Sequence, residues 1–330
     1  MSNGLISLIL AAILFAGVVG ISLRYAFSKE RDIQEYLRRA QTYRSRKSYD
    51  TAIGAYQRVI ELDPENITAL QGVGILHTQL GRYNEAILAY ETLAKIEPQD
   101  HRVLNRLARL YEKVGNEEKA LENFEASLEI SESSVETYIH LGQLHYRANR
   151  MEEAIDDYNK ALELSPGHLD TRYHLADVYM SQGNGDAAIE QYKIVVSALP
   201  DDLQGYAQLA QAYNQLGRHE RAIEAYEQAL GLTPNSPHIY ANLGQSYYLI
   251  KNYEQADQAL QCALDLDPDY ALAQYNLAVS LAEQRQTDRA VQYLELALYN
   301  DANLMPIART NPVFASLSDH PGFSRLLNLA

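Results

Sequence analysis

The small, aromatic and proline residues of the chain recur every 34 residues. The intervening segments have a helical pattern that is punctuated by glycine. The prolines on this grid are Pro64, Pro98, Pro166, Pro200, Pro234 and Pro268, with Glu132 in the vacant place. A period of this length is typical of stacked helix-turn-helix repeats, in which each repeat buries its apolar face against its neighbours. The pattern therefore predicts an all-α solenoid of eight repeats spanning residues 33–304.

Other residue types also recur when positions are counted from residue 33, which puts each grid proline at position 32. A position shared by all repeats is called a column. Position 20 is alanine in every repeat, position 8 is glycine or alanine, and position 24 is aromatic until it becomes Leu260 and Leu294. Small residues at two columns allow the paired helices to pack closely. Position 15 is glycine in four repeats and Asn149 in a fifth, which predicts a left-handed residue that ends the first helix.

These columns resemble the tetratricopeptide repeat (TPR) family, with the family's opening tryptophan replaced mostly by tyrosine or leucine. The resemblance implies a right-handed superhelix. It also implies that positions 2, 5, 6, 9, 12 and 13 of each first helix face a concave groove that holds partner segments. We find no catalytic motif, and the segments outside the repeats are accounted for by a predicted anchor and a predicted cap, which leaves no sequence for a catalytic domain. We therefore expect a protein that is not an enzyme and needs no cofactor.

An uncharged segment precedes the repeats. Residues 5–23 contain no charged side chain, and a helix of this length spans roughly 28 Å, close to the hydrocarbon thickness of a bilayer. We predict that residues 1–23 form a transmembrane anchor. A cleaved secretory signal is the less favoured alternative, because the first four residues carry no positive charge and no convincing cleavage site follows. Ala12, Ala16 and Gly20 form a small-residue face that predicts a weak homodimer through the anchor.

The segments flanking the repeats have their own predicted roles. Residues 24–32 read as a basic juxtamembrane linker, after which a capping box of Asp32 and Glu35 predicts the start of the first repeat helix. Residues 305–330 carry phenylalanine and leucine between proline breakers, which predicts a helical cap over the last repeat. The alternative is a detachable motif that binds another protein.

Charge is distributed unevenly along the chain. Residues 24–47 hold eight Lys or Arg against three acids, which favours a cytoplasmic location for the repeats. Residues 48–330 hold 20 basic and 40 acidic side chains, and this excess argues against nucleic-acid binding. The single cysteine, Cys262, excludes a disulfide framework and is expected to pack within the stack.

The groove positions combine a cationic stripe with polar and tyrosine side chains. The predicted groove residues are Arg102, Asn105, Arg106, Arg109, Lys113, His140, Gln143, Tyr146, Tyr173, His174, Gln208, Gln211, Asn242, Gln245, Tyr248, Tyr275 and Asn276. Four of these residues are basic, lie on one face of a single helix and would suit an acidic or phosphorylated segment. They are Arg102, Arg106, Arg109 and Lys113. The alternative is that they pair with acids such as Glu112 and Glu136.

Two further groups stand out among these residues. Tyr146 with Tyr173, and Tyr248 with Tyr275, recur at positions 12 and 5 of adjacent repeats and would clamp apolar partner residues. His140 and His174 share position 6 of successive repeats, and we interpret them as solvated groove residues in preference to metal ligands.

Together these features predict a membrane-anchored, cytoplasm-facing scaffold. It would bind segments of other proteins in its groove and so assemble or retain a membrane-associated complex. Two alternatives stay open. The first is a regulatory subunit that recruits or inhibits a membrane enzyme, and the second is an exported solenoid that faces the opposite compartment.

Overall fold

The computed structural model of the protein describes residues 26–328, and all regular secondary structure in that range is helical. The predicted anchor, including the small-residue face expected to form a homodimer, lies outside the described residues. Among the helices that are described, none combines the length and the apolarity needed to cross a bilayer.

The repeat helices keep the predicted register throughout. From the second repeat onward, every first helix covers positions 1–13. Every second helix covers positions 17–30 and so ends two residues before position 32, which is proline in six of the eight repeats. Helix α1 covers residues 26–45, and the others are α2 (Tyr49–Leu62), α3 (Ile67–Gln79), α4 (Tyr83–Ile96), α5 (His101–Lys113), α6 (Glu117–Ile130), α7 (Val135–Arg147), α8 (Met151–Leu164), α9 (Leu169–Ser181), α10 (Gly185–Ala198), α11 (Leu203–Gln215), α12 (His219–Leu232), α13 (Pro237–Leu249), α14 (Tyr253–Leu266), α15 (Ala271–Glu283) and α16 (Thr287–Asn300). The predicted all-α solenoid is confirmed.

The first helix begins earlier than predicted. Residues 26–45 form one helix, so Asp32 lies inside it and does not cap its start. The side chain of Glu35 accepts a hydrogen bond from Arg39 one turn later. No glycine or proline interrupts this stretch, and such pairs at i and i+4 support a continuous helix. From residue 26 onward, the segment predicted as a linker therefore belongs to α1.

Position 15 adopts left-handed backbone in all eight repeats. The predicted glycines have φ between 70° and 78°, and Asn149 has φ of 59°. Lys47, Lys251 and Arg285 occupy the same place in the remaining repeats, with φ of 59°, 61° and 59°. The turn between paired helices imposes this conformation even where the side chain disfavours it.

The described chain divides into two compact units, the first holding α1–α7 and the second beginning at Asn149. The same columns build the core of each. All eight position 20 alanines are fully buried, and so are the position 24 side chains from Tyr56 to Leu294. A Cβ added at Gly74 would lie 2.6 Å from the ring of Tyr90, which explains the need for a small residue at position 8.

The chain beyond α16 folds back on the last repeat. It forms a 3₁₀ turn at Ala302–Leu304, α17 (Met305–Thr310), a second 3₁₀ turn at Pro312–Leu317 and α18 (Pro321–Asn328). The second 3₁₀ turn packs on α15 and α18 packs on α16, while Phe314 and Leu317 are both 1% exposed. The predicted helical cap is confirmed, and it leaves α15 buried on most sides.

Cys262 is exposed, contrary to the prediction that it packs within the stack. Its neighbours Leu260, Ala263 and Leu264 on α14 are buried. Two residues beyond Leu260, a helical side chain points about 200° away from it, so position 26 faces outward.

Candidate functional site

The groove histidines pack on the aromatic column of the preceding repeat. In the first unit, His140 at position 6 stacks on Phe124 at position 24, with ring centroids 5.3 Å apart and planes 9° apart. In the second unit, His174 stacks on Tyr158 at 5.7 Å and 24°. Both histidines are half-buried. The two histidines are therefore only partly exposed to solvent, because one face of each ring covers an aromatic core residue.

The same pairing of positions 6 and 24 recurs in the earlier repeats. Arg106 Nη1 donates to Tyr90 Oη at 3.1 Å. At Gly72, an added Cβ would lie 2.5 Å from the ring of Tyr56. In the second to fifth repeats, position 6 therefore meets the aromatic ring at position 24 of the preceding repeat.

Two of the four cations in the stripe of repeat 3 are paired with acids. Arg102 donates from Nε and Nη2 to the two carboxylate oxygens of Asp100, each at 3.0 Å, and these bonds hold the pKa of Asp100 below its ordinary value. Arg109 Nη1 lies 2.6 Å from Glu136 Oε1. Lys113 is exposed at the end of α5. The four cations lie together on one helix, and two of them are neutralised by acids. The pairing of Arg109 with Glu136 is the one that the alternative interpretation expects.

A second set of charges joins α5, α6 and α7 around Glu112. This carboxylate is 13% exposed, and it lies 3.0 Å from His140 Nδ1 and 2.9 Å from Arg147 Nη2. Arg147 Nε also contacts Glu117 at 3.1 Å. Burial alone would raise the pKa of Glu112, but the close contact with His140 and the hydrogen bond from Arg147 outweigh it and lower that pKa. The inner face of the first unit is therefore a connected network of paired charges.

Two amides of the first unit take part in its packing. Asn105 donates from Nδ2 to Thr137 Oγ1 and so links α5 to α7. Its Oδ1 is buried and has no donor among the described residues. Gln143 is half-buried on α7. Neither of these predicted groove residues is fully exposed to solvent.

The second unit presents amides that are not used in folding. Among residues 26–328, their side chains make no hydrogen bond to protein groups, and no ion pair reaches them. They are Gln208, Gln211, Asn242, Gln245 and Asn276. Gln211 and Gln245 are exposed, and the other three are half-buried. This inner face therefore carries donors and acceptors with no partner in the described chain.

The tyrosines of the predicted clamps lie in different environments. Tyr146 is half-buried in the first unit. In the second unit, Tyr173 donates its hydroxyl to Asp202, and burial together with this bond raises the pKa of Tyr173. Tyr248 and Tyr275 line one cavity of about 180 Å³. The structure thus brings the second predicted pair together.

Tyr275 is not the exposed clamp residue that we predicted. It is 7% exposed, its hydroxyl accepts a hydrogen bond from Asn311 Nδ2 at 2.9 Å, and the ring of Phe314 meets it edge-on at 5.8 Å. The cap covers this side chain because its 3₁₀ turn packs on the inner face of α15.

Three residues of these surfaces were not among the predicted groove residues, although Arg147 occupies position 13, which the register assigns to the groove. Arg147 completes the charge network, Leu260 lines the cavity, and Asn311 forms part of its wall. The loss of the aromatic residue at position 24 was a usable signal for Leu260. Asn311 lies outside the period, so no column could have marked it.

Within residues 26–328, no group of three or more His, Cys, Asp or Glu side chains is placed to hold a metal ion.

Family profiles match almost the whole repeat region. Profiles described as tetratricopeptide repeat match residues 43–110 and 148–213, residues 99–167 and residues 242–304, and one described as TPR repeat matches residues 210–251. Among curated proteins, no sequence match is found.

Solved structures of TPR proteins share the fold. The C-terminal part of a TPR repeat-containing protein from Cytophaga hutchinsonii is similar over 74% of this chain and 98% of its own, with 17% identity and a TM-score of 0.60. A TPR protein from Parabacteroides merdae covers 76% and 99%, with 19% identity and a TM-score of 0.53. YrrB, described as a TPR protein with an unusual peptide-binding site, covers 56% and 95%, with 23% identity and a TM-score of 0.50. At these identities the likeness concerns the fold alone.

Proposed function

The chain belongs to the tetratricopeptide repeat family, and from this premise we propose that it is a membrane-anchored scaffold that binds segments of other proteins. The proposed anchor is residues 5–23, and the repeats face the cytoplasm. In this role the protein assembles or retains a membrane-associated complex, and it needs no turnover of its own.

The unpartnered amides of the second unit are the observation that carries this proposal. A carboxamide offers both donors and acceptors, which match the N–H and C=O groups of a peptide backbone. Polar side chains that have no protein partner in the folded chain can use these donors and acceptors to bind a ligand. The fold relative YrrB is described as having a peptide-binding site, which is consistent with the same use of the fold.

Membrane attachment rests on the sequence. Residues 5–23 have no charge, and the basic residues that follow favour retention on the cytoplasmic side. To test this, a reporter active on one side only is fused to the C terminus, and membranes are extracted with alkaline carbonate. Release of the chain by carbonate, or activity on the non-cytoplasmic side alone, would contradict the proposal.

Photo-crosslinking in cells tests partner binding directly. A crosslinking amino acid is placed at Gln211 or at Gln245, and the captured proteins are identified by mass spectrometry. A matched control carries it at Leu88, which is 65% exposed on α4, a second helix of its repeat. We expect specific capture from the first two positions. Equal yields from all three positions would contradict a binding surface on the inner helices.

The same assay separates the two units and the two roles. Replacing Arg102, Arg106 and Arg109 by Glu tests whether the charged stripe contributes to capture. Because two of these arginines are already paired with acids, we expect a smaller loss than from alanine at Gln208, Gln211 and Asn242. A varied set of immature clients supports an assembly factor, whereas one stoichiometric enzyme supports the alternative of a regulatory subunit.

A further inference from the structure

A cavity lies between α13, α15 and the cap in the second unit. It measures about 180 Å³. Leu260 and Val279 supply apolar walls, Tyr248 and Tyr275 supply aromatic ones, and Asn276 and Asn311 supply amides. Among the residues that the structure describes, no Lys, Arg, Asp or Glu side chain lines it. The site is therefore suited to an uncharged group.

The cavity exists because of a departure from the repeat pattern. In six successive repeats, from Tyr56 to Tyr226, position 24 carries an aromatic ring that is at most 3% exposed. In the repeats already described, this ring is met by position 6 of the following repeat. At the cavity the pair is Leu260 and Asn276, so a short aliphatic side chain faces a short amide. The volume that a ring fills elsewhere is left empty here.

The size of the space identifies the group that would fill it. A cavity of roughly 150 Å³ lined by apolar side chains binds benzene. A volume of about 180 Å³ therefore admits one six-membered ring. Aromatic rings also prefer edge-to-face or offset contacts with other rings, which the two wall tyrosines can provide.

The cap offers a precedent for such a contact within the same chain. Phe314 meets Tyr275 edge-on, with an interplanar angle of 86°. Asn311 then fixes the hydroxyl of that tyrosine through its amide. The cap thereby holds one wall of the cavity in place. The site is formed by residues of the repeats together with Asn311 of the cap.

We propose that this cavity is a specificity pocket that takes one phenylalanine or tyrosine side chain of a partner segment, with Asn311 from the cap as part of its wall. The proposal rests on the proposed function, because it presumes that the inner helices bind protein segments. The partner ring would restore the aromatic filling that the earlier repeats supply themselves, and the free amides of Gln245 and Asn276 would bond its backbone.

Methyl NMR of the full-length chain in detergent tests the pocket without any substitution. The probe is an acetylated Gly-Phe-Gly amide, with the Gly-Leu-Gly and Gly-Glu-Gly peptides as matched controls. The ring should shift the methyl resonances of Leu260 and Val279, with a dissociation constant on the order of 1 mM for so small a ligand. The methyl groups of Leu70 and Val73, in the core of the first unit, should not move. Equal shifts from all three peptides, or shifts at all four residues, would overturn the pocket.

Filling the pocket from inside gives the second test. Leu260→Tyr restores the residue type of the earlier repeats, and Gly244 leaves room for it as Gly74 does for Tyr90. We expect a melting temperature equal to or above that of the native chain and binding of the Phe peptide weakened at least tenfold, by about 1.4 kcal/mol. Val279→Phe should have the same effect on binding, whereas Ile75→Phe, at the same repeat position in the first unit, should have none. Unchanged binding in either pocket variant, once its fold is verified by circular dichroism, would refute the proposal.

These outcomes are separable from the proposed function. If crosslinking at Gln211 and Gln245 captures partners equally well in the Leu260→Tyr chain, the pocket fails and the scaffold function stands. If the Phe peptide binds as described but no partner is captured in cells, the pocket stands and the scaffold function fails.

Discussion

The inner faces of the two units differ in the chemistry of their side chains. In the first unit, arginine, histidine and glutamate side chains bond to one another around Glu112 and Glu136. In the second unit, the predicted groove residues are His174 together with glutamine, asparagine and tyrosine, and five of these amides have no protein partner among the described residues. A charge left unpaired near the core is costly, whereas an exposed amide is satisfied by water. The paired charges of the first unit are therefore largely committed to its own structure, and the unpartnered amides of the second unit are available to a ligand.

The difference also has a structural cause below the surface. Phe124 fills the interface under His140, whereas Leu260 leaves a cavity under Asn276. The first arrangement supports a fixed network and the second leaves space. Each of the following predictions tests one part of this contrast.

Removal of the ring beneath the network should have the largest effect. Phe124 is fully buried, so Phe124→Ala should lower the free energy of unfolding by about 3–5 kcal/mol and release His140. Leu260→Ala should cost less, about 2 kcal/mol, because its surroundings already contain free volume. Urea unfolding followed by circular dichroism measures both. Equal losses would mean that the two interfaces are packed alike, and the comparison would fail.

Glu112→Gln should have the next largest effect. The amide cannot neutralise Arg147 or bond to both neighbours as the carboxylate does, so we expect a loss of about 1–2 kcal/mol in unfolding free energy. The matched control is Glu61→Gln, which removes an exposed acid from a pair with Arg58 and should leave the urea midpoint unchanged. If both variants unfold at the native midpoint, the network contributes nothing to stability.

Acid should weaken the first unit through the same carboxylate. The pKa of Glu112 in the folded chain lies below its ordinary value of 4.5, so its contribution is complete above that pH. It is lost as the pH falls through the folded-state pKa. Urea midpoints measured between pH 3 and pH 7 should therefore fall at the acid end in the native chain. In Glu112→Gln this fall should be smaller, and an identical pH profile would assign the acid sensitivity to other groups.

The sequence predicted the architecture almost completely, because packing imposes a strict period. Alanine at position 20, the rings at position 24 and glycine at position 15 each correspond to a fixed contact or backbone conformation. The start of α1 was missed because a local capping signal at Asp32 competed with uninterrupted helix propensity on both sides. The helix propensity of the flanking residues therefore outweighed the capping signal at Asp32.

The candidate site was predicted less well, for a reason of the same kind. Columns identify which side chains face inward but not which of them bond to one another, so the pairing of Arg109 with Glu136 remained one of two interpretations. The burial of Tyr275 depends on Asn311 and Phe314, which lie outside the period. A periodic pattern cannot report contacts made by a non-periodic segment.

The turns are where the two units should not differ, and they provide the smallest predicted effect. Lys47 in the first unit and Lys251 in the second both adopt positive φ, a conformation that glycine tolerates without the steric cost of a Cβ. Replacing either lysine by glycine relieves that cost but also frees the unfolded chain, and these effects oppose each other. The other repeats favour glycine here, so we expect a net gain of about 0.5 kcal/mol at each site. Thermal melts of the two single variants should shift upward by the same amount. A gain in one unit only would show that the turns differ too, and the contrast between the units would then extend beyond their inner faces.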